Sequence, residues 1–343
     1  MKIWFDILTP KQFLFFEPMI NKLSKKHKIM CTTRKYREVD HLIKIRKIRM
    51  KVVGRHGGFK NAEKLRANLD RMKILMPMIE KFKPDVTISF CSPDAARISY
   101  GLKIKHIAFC DAPHAEAVMR LTIPLIQKLL TPWIIPKKEF TKFGISPKNI
   151  IKYKAIDAAL IISQKPKKST FFMDLKKGKN ILLRTHESSA SYTKEKVDVV
   201  KIIRKLADVK NFNIIVLGRY SDEIRRLKGK VKNSVVILKK PVDSGEILGI
   251  IDAFVGSGGT MTAEAALRGI PTFSYNAIPN IIEDYLVRKK LVTRVNNINK
   301  LDKIILNVLN NNSGIIKNRA LKEFKNMENP IKKLELVLET IRE

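Results

Sequence analysis

The chain has 343 residues, of which 45% are hydrophobic and 7% aromatic, and it carries a formal net charge of +36 from 68 basic and 32 acidic residues. This length and composition fit an α/β protein with two domains of ordinary size. The cysteines Cys31, Cys91 and Cys110 have no paired spacing, which excludes a disulfide framework and a zinc signature and favours a reducing, cytoplasmic location. No segment is long and apolar enough to span a membrane.

Strands and helices alternate along the first half of the chain. The residues after Met1 carry Asp6 within an apolar run and lack a small-residue cleavage site, so they predict a first strand and not a signal peptide. The predicted strands are 2–8, 29–33, 51–54, 85–90 and 105–110, and the predicted helices are 12–26, 61–82 with an interruption near Pro77, and 93–102. Repeated βα units of this length predict a parallel, doubly wound sheet.

The alternation restarts after a lysine-rich stretch, with predicted strands at 180–183, 213–217, 234–237, 253–255 and 271–274. We therefore predict a Rossmann-like domain at 1–165, a linker at 166–179, a second Rossmann-like domain at 180–325 and a helix at 326–343 that returns to the first domain. Because parallel sheets bind ligands at the carboxyl ends of their strands, two such domains facing each other predict a cleft with a site between them.

Residues 255–271 have the order of a strand end, a glycine turn, a helix and the start of another strand. Ser257, Gly258 and Gly259 leave backbone N–H groups accessible at the positive end of a helix that begins at Thr260, which is an arrangement that binds phosphate. Glu264 lies one turn further along the same helix face, where its carboxylate can accept hydrogen bonds from the two hydroxyls of a ribose. A nucleotide diphosphate is the simplest ligand with both parts.

This run resembles the donor site of two-domain, B-type glycosyltransferases, especially the MurG-like N-acetylglucosaminyltransferases, in its order Ser257-Gly258, Glu264 and Gly269-x-Pro271. It is also similar to the Ser-Gly-Gly segment of UDP-N-acetylglucosamine 2-epimerases, in which the ribose-binding Glu comes slightly earlier. The spacing here favours the transferase. The glycine-rich acceptor loop of the MurG-like enzymes is replaced by residues 9–12.

The resemblance extends to four further segments, at 5–18, 54–58, 92–97 and 116–120. Together they resemble domain-of-unknown-function family 354, a relative of the UDP-N-acetylglucosamine 2-epimerases, over nearly the whole chain. This resemblance implies the B-type fold more than any particular reaction.

The epimerase resemblance also implies roles for single residues. His186 lies where the epimerases carry a catalytic histidine in a Thr-x-His-Arg motif, Glu116 and Arg120 resemble their Glu-x-x-x-Arg helix, and Asp94 resembles an epimerase acid by position. Glu187 follows the histidine in place of the motif's arginine. This departure and the shifted ribose glutamate argue against epimerase chemistry.

Strand-end loops supply the other candidate residues. Asp111 is either a general base for an acceptor hydroxyl or an ordinary turn residue, and His114, followed closely by Glu116, is the alternative base. Arg184 and His186 can neutralise a leaving pyrophosphate without a metal ion. The glycine-flanked Arg55 and His56 form either a substrate-contacting loop or a tight turn.

The basic charge has three explanations. The first is a composition rich in Lys, Ile and Asn. The second is that the charge attracts the protein to an anionic membrane or a lipid-linked phosphate, and the third is that it binds nucleic acid. Nucleic acid is the less favoured partner because the basic residues are spread out and form no recognition module. The apolar segment 121–136 either dips into a membrane interface beside the basic surface or belongs to the core.

The sequence therefore predicts a B-type nucleotide-sugar enzyme that needs no cofactor or metal. Domain 180–325 is expected to bind a UDP-sugar, of the N-acetylhexosamine type, and domain 1–165 to hold a glycan or lipid-linked acceptor, as in the synthesis of cell-surface polysaccharides. The first alternative is 2-epimerisation or nucleotide-sugar hydrolysis that uses Asp94, Asp111, Glu116 and His186. The second is a non-catalytic protein that binds nucleic acid or an anionic surface through its charge.

Overall fold

The computed structural model describes residues 1–58, 60–166, 175–185, 198–218, 221–232, 234–238 and 241–342. The chain divides into two compact units: unit 1 contains Met1–Gln164 and Met327–Glu343, and unit 2 contains Lys165–Asn326. Most of the predicted linker, at 167–174, lies outside the described residues. Within the described ranges, no helix is both long enough and apolar enough to cross a membrane.

Unit 1 is built on a parallel sheet of seven strands. The strands are β1 (Lys2–Ile7), β2 (Lys28–Lys35), β3 (Lys51–Arg55), β4 (Val86–Ser89), β5 (Lys105–Phe109), β6 (Lys128–Pro132) and β7 (Ile150–Tyr153). Their order across the sheet is β3-β2-β1-β4-β5-β6-β7. The strand order reverses between β1 and β4, and open α/β sheets bind ligands beside such a reversal.

The helices of unit 1 connect these strands. They are α1 (Pro10–Leu23), α2 (Arg37–Arg46), α3 (Asn61–Phe82), α4 (Pro93–Gly101), α5 (Glu116–Thr122), α6 (Lys138–Thr141) and α7 (Asp157–Ile162). Two of them start close behind a strand because the sequence supplies a cap and a proline: Thr9 accepts from Gln12 N before Pro10, and Ser92 accepts from Ala95 N before Pro93.

The predicted interruption of α3 at Pro77 is wrong, because the helix runs unbroken from Asn61 to Phe82. Pro77 removes the hydrogen bond that its N–H would make to the carbonyl of Lys73. Both residues are exposed, so water can bond that carbonyl. Pro77 is therefore tolerated on the solvent face of α3, whereas Pro10 and Pro93 stand at helix starts, where a missing N–H costs nothing.

The apolar segment 121–136 belongs to the core of unit 1. It contains β6, which lies between β5 and β7, and both Leu129 and Leu130 are fully buried. Of the two interpretations of this segment, the structure therefore supports the core.

Unit 2 is built on a second parallel sheet, with six strands. The strands are β8 (Lys179–Arg184), β9 (Phe212–Leu217), β10 (Val236–Leu238), β11 (Ala253–Gly256), β12 (Thr272–Tyr275) and β13 (Val292–Val295), in the order β10-β9-β8-β11-β12-β13. The helices are α8 (Val199–Ala207), α9 (Ser221–Lys228), α10 (Ser244–Leu248), α11 (Thr260–Leu267), α12 (Ile281–Arg288), α13 (Leu301–Asn311) and α14 (Ser313–Lys325). Here the order reverses between β8 and β11.

Alternate residues of β8 show how the sheet of unit 2 is covered on both faces. Leu183 packs with Ile202 and Leu206 of α8, whereas Leu182 packs with Ile247 and Leu248 of α10. Because successive strand side chains point to opposite faces, a strand that is apolar throughout must be buried on both.

The last helix, α15 (Pro330–Arg342), belongs to unit 1. Hydrogen bonds and an ion pair attach this end of the chain to the rest of unit 1. Glu328 Oε1 accepts from Lys154 N at 2.5 Å, Glu335 pairs with Lys22 at 2.7 Å, and the carbonyl of Ile341 accepts from Lys105 Nζ at 2.5 Å.

Candidate functional site

The glycine turn predicted from residues 257–260 lies at the carboxyl end of β11. Gly258 and Gly259 have φ values of 79° and 86°, which side chains disfavour, and α11 begins at the next residue. Gly259 is the N-cap of α11 and offers no side chain to bond the first-turn N–H groups. Those N–H groups have no partner within the helix, and with the helix dipole they form a site suited to an anion.

Gly256, the last residue of β11, holds this turn close to the sheet. A Cβ built there would lie 2.6 Å from Cε1 of Phe254 and 3.2 Å from Oγ1 of Thr262. The first distance is shorter than real contacts allow, so a side chain at this position would have to displace the Phe254 ring, and it would also press on Thr262 of α11. Glycine at this position therefore lets the end of β11 pack closely against Thr262 of α11.

Arg184 is positioned beside the turn by the strand register. Leu183 of β8 pairs with Val255 of β11, so Arg184, the last residue of β8, lies at the level of Gly256, the last residue of β11. The Arg184 side chain is half-buried, and its Nη1 donates to the carbonyl of Gly218 at 3.4 Å. The structure thus places this predicted cation at the reversal between β8 and β11.

Glu264 lies in the fifth position of α11 and is only 3% exposed. Its Oε2 accepts a hydrogen bond from the hydroxyl of Ser244 at 2.6 Å, which connects the carboxylate to the start of α10. A buried carboxylate needs such donors, because loss of hydration is costly. The carboxylate of Glu264, which we predict to bind the ribose, is therefore held in a defined orientation by Ser244. The sequence analysis did not identify this serine.

Three more residues at this edge were missed. Ser274 Oγ donates to Glu283 Oε1 at 2.5 Å, and Asn280 caps α12 by accepting from Glu283 N at 2.9 Å. A Cβ built on Gly258 would lie 3.7 Å from both Glu283 Oε2 and Asn280 Nδ2. The spacing Asn280-x-x-Glu283 is that of a capping box, and this signal was present in the sequence.

In unit 1, Asp94 is part of a buried charge network at the carboxyl ends of β1 and β4. Arg71 of α3 donates to Asp94 Oδ2 at 2.8 Å and to both oxygens of Asp6, at 2.5 and 3.1 Å. Ser92 and Thr32 also donate to Asp6, each at 2.6 Å. Burial raises the pKa of Asp94, and the network leaves it only 5% exposed. This geometry gives Asp94 a buried ion-pair partner in Arg71.

Asp111 belongs to a second network. Lys11 Nζ forms ion pairs with Asp111 and, at 2.8 Å, with Asp157, and Tyr153 OH donates to Asp157 Oδ1 at 2.5 Å. Lys11 also lies 4.3 Å from the ring centre of Phe90. Burial raises the pKa of Asp157 to about 7, against the opposing effect of Lys11. Asp111 keeps 19% of its side chain exposed, against 2% for Asp157, so it is the carboxylate of this network that solvent or a substrate can reach.

His114, Glu116 and Arg120 do not join either network. His114 is exposed, and the Glu116 carboxylate pairs with Arg120 one helical turn away, at 2.7 Å. The side chains of this pair are 65% and 69% exposed. The structure therefore places them on the surface of α5, separate from Asp111.

Arg55 is the last residue of β3, at the edge of the sheet, His56 follows it, and both are exposed. They line a cavity that contains none of the other predicted site residues. His186 lies outside the described residues.

Two parallel, doubly wound α/β units of this kind define a fold of the B-type glycosyltransferase class. A UDP-GlcNAc 2-epimerase from Neisseria meningitidis, solved bound to UDP-GlcNAc, superposes with a TM-score of 0.73 at 16% identity and covers 99% of each chain. The spinosyn rhamnosyltransferase SpnG, complexed with spinosyn aglycone, superposes with a TM-score of 0.67 at 12% identity, over 98% of this chain and 100% of SpnG. These likenesses confirm the predicted fold class.

The chain belongs to the family described as "Protein of unknown function (DUF354)", whose profile matches residues 1–341. The family resemblance drawn from the sequence is therefore confirmed. A protein of Methanocaldococcus jannaschii described as "Uncharacterized protein MJ0665" is 28% identical over 327 residues, which are 92% of this chain and 94% of that protein.

Proposed function

We propose that unit 2 binds a UDP-sugar and that the protein transfers the sugar to a glycan or lipid-linked acceptor. The observation that carries this proposal is the turn at Gly258 and Gly259, which opens α11 beside Arg184 at the reversal of strand order. The likeness to an epimerase that was solved bound to UDP-GlcNAc supports a UDP-sugar as the ligand. The likeness to a rhamnosyltransferase supports sugar transfer as the reaction.

In the proposed complex, the pyrophosphate lies against the first-turn N–H groups of α11, where the helix dipole favours negative charge. Arg184 adds a full positive charge beside the turn, and Glu264 accepts hydrogen bonds from the ribose hydroxyls. During transfer, the acceptor oxygen forms a bond to the anomeric carbon while the bond from that carbon to the UDP oxygen breaks. Negative charge develops on the departing UDP, so Arg184 and the N–H groups bind the transition state more strongly than the ground state. In this proposal the transfer uses no metal ion.

The acceptor hydroxyl loses its proton in this step, and we propose that the carboxylate of Asp111 is the general base that accepts it. It is the more exposed of the two carboxylates that pair with Lys11, with 19% of its side chain exposed against 2% for Asp157. Lys11 holds one oxygen of Asp111 and so restricts its orientation. A general base must lie within hydrogen-bonding distance of the proton that it removes, so a fixed orientation of the carboxylate is the first requirement for this role.

Calorimetric titration of UDP and UDP-N-acetylglucosamine into the wild type and Glu264→Gln tests the donor site. We expect saturable binding by the wild type and at least tenfold weaker binding by Glu264→Gln, because an amide is a poorer acceptor for ribose hydroxyls. Asp208→Asn is the matched control, since Asp208 is an exposed acid in unit 2. Equal affinities in all three proteins, or binding of single-stranded RNA alone that falls steeply with salt, would contradict the proposal.

A second candidate function is 2-epimerisation, which the superposition on the Neisseria meningitidis enzyme favours. It requires exchange of the sugar C2 proton with solvent. Incubating the protein with UDP-N-acetylglucosamine in D2O, without acceptor, separates the two reactions: deuterium at C2 supports epimerisation, and release of UDP only when an acceptor is added supports transfer.

A further inference from the structure

We propose that unit 1 has a separate binding site for a neutral, hydroxyl-rich sugar unit at the carboxyl end of β3. A cavity of about 300 Å³ opens there, at the lower end of the size range of ligand pockets. It is lined by Arg55, His56, Gly57, Gly58, Glu63, Arg66, Ala67 and Asp70. The inference rests on the proposed function in that this sugar unit would belong to the acceptor.

The loop that forms one wall is built around glycines. A Cβ on Gly57 would lie 2.5 Å from Cα of Lys64, so only glycine lets the loop come this close to α3. Gly58 adopts a φ of 70°, in the left-handed region. These two positions fix the wall of the cavity against the first turns of α3 with little freedom to move.

Hydrogen-bonding groups of both kinds line the cavity. Gly58 N donates to Nδ1 of His56 at 3.0 Å, which makes Nδ1 an acceptor and places the hydrogen of the neutral ring on Nε2. Arg66 pairs with Glu63 at 2.9 Å, and Arg55 and Asp70 lie on the same cavity. Sugar hydroxyls both donate and accept, so a lining that contains guanidinium donors and carboxylate acceptors matches them.

The charge of the lining decides against an anionic occupant. The chain as a whole has a net charge of +36, yet the cavity lining balances Arg55 and Arg66 with Glu63 and Asp70. Glu63 and Asp70 offset the charges of the two arginines, so the lining offers a phosphate or a nucleic-acid backbone little net attraction. Ala67 is the single apolar side chain among the lining residues, so the lining also suits a polar ligand better than an apolar one.

Saturation-transfer NMR with chitobiose and cellobiose as probes tests this site. We expect signal transfer to at least one of these disaccharides from the wild type, and a loss of at least fivefold in both Asp70→Ala and Arg55→Ala. Both side chains are exposed, so the variants should fold, and a matching circular dichroism spectrum checks this. Asp208→Ala, an exposed acid of unit 2, is the control and should bind like the wild type.

No transfer to either probe from the wild type, unchanged transfer in both cavity variants, or displacement of the probes by millimolar inorganic phosphate would overturn the proposal. UDP titration of the same variants keeps the two proposals distinguishable. If the two cavity variants lose sugar binding but keep normal affinity for UDP, the result supports this site. If the wild type binds the sugars but does not bind UDP, the result refutes only the proposed donor site.

Discussion

Arg71 Nη2 donates to Asp6 Oδ1 across 2.5 Å, and both side chains are buried, with Arg71 1% exposed and Asp6 fully enclosed. The same guanidinium bonds Asp94, and its Nε donates to the carbonyl of Val53 at 3.0 Å. One side chain of α3 thus joins β1, β3 and the start of α4. The hydrogen bonds of Arg71 therefore hold these three elements together at the carboxyl edge of the unit 1 sheet.

Replacing Arg71 with Met should destabilise the protein strongly. The substitution keeps most of the side-chain volume but leaves the Asp6 and Asp94 carboxylates buried without their cation, which costs about 3–5 kcal/mol. Urea unfolding measures this loss. Arg66→Met is the control, since the ion pair of Arg66 is largely exposed and should contribute little. A midpoint for Arg71→Met equal to that of the control would contradict this account of the network.

Two glycine-to-alanine substitutions should have opposite effects on stability. At Gly256 the new methyl would lie 2.6 Å from the Phe254 ring, so we expect a loss of about 1–3 kcal/mol from overpacking, with weaker UDP binding. At Gly101, the last residue of α4, no atom lies within 4 Å of the new methyl, and the helix should gain about 0.4–1 kcal/mol. Thermal unfolding of both variants is the measurement. A gain of stability in Gly256→Ala would contradict the close packing at Gly256, and a loss in Gly101→Ala would contradict the open surroundings of Gly101.

Asp157 should make stability depend on pH near neutrality. Burial raises its pKa to about 7, whereas an aspartate in the unfolded chain titrates near about 4. Between these values the native state binds more protons than the unfolded state, so stability falls as pH rises from about 4 to about 7. Asp157→Asn cannot titrate, so its curve of unfolding free energy against pH should lack this decline. Parallel curves for the two proteins would show that Asp157 stays ionised throughout.

The cysteines should be unreactive in the folded protein. Cys31, Cys91 and Cys110 are all buried, and burial raises the pKa of Cys31 to about 12. Contact with Cys110, together with burial, also raises the pKa of Cys91. Because the thiolate is the reactive form, a thiol reagent such as Ellman's should modify none of them under native conditions and all 3 in denaturant. Rapid modification of the native protein would indicate that a buried thiol becomes accessible.

The glycine turn of unit 2 was predictable because its structure depends on residues next to one another. Two glycines, a helix start and an acid one turn later are a local pattern, and the strands on either side follow from apolar runs. The Arg71 network was not predictable in this way. Its partners Asp6 and Asp94 lie 65 and 23 residues from Arg71, so only the strand order brings them together.

Lys11 shows the same limit at the other network. It was read as part of the loop after the first strand, because nothing near it in sequence indicates that it contacts Asp111 and Asp157. The fold places the ends of β1, β5 and β7 on one edge, where these three residues meet. Asp111 was therefore identified as a candidate from its strand-end position, whereas the cation that orients it was missed.

The return of α15 to unit 1 has a consequence for biosynthesis. Residues 165–326 form unit 2 as one uninterrupted segment. All of unit 2 is therefore synthesised before residues 327–343, which belong to unit 1, leave the ribosome. Domains generally fold as units during synthesis. The unit that is translated first is therefore completed last, when Glu328, Glu335 and Ile341 reach their partners from the beginning of the chain. A nascent chain stalled before residue 327 would carry a complete unit 2 and a unit 1 that still lacks α15.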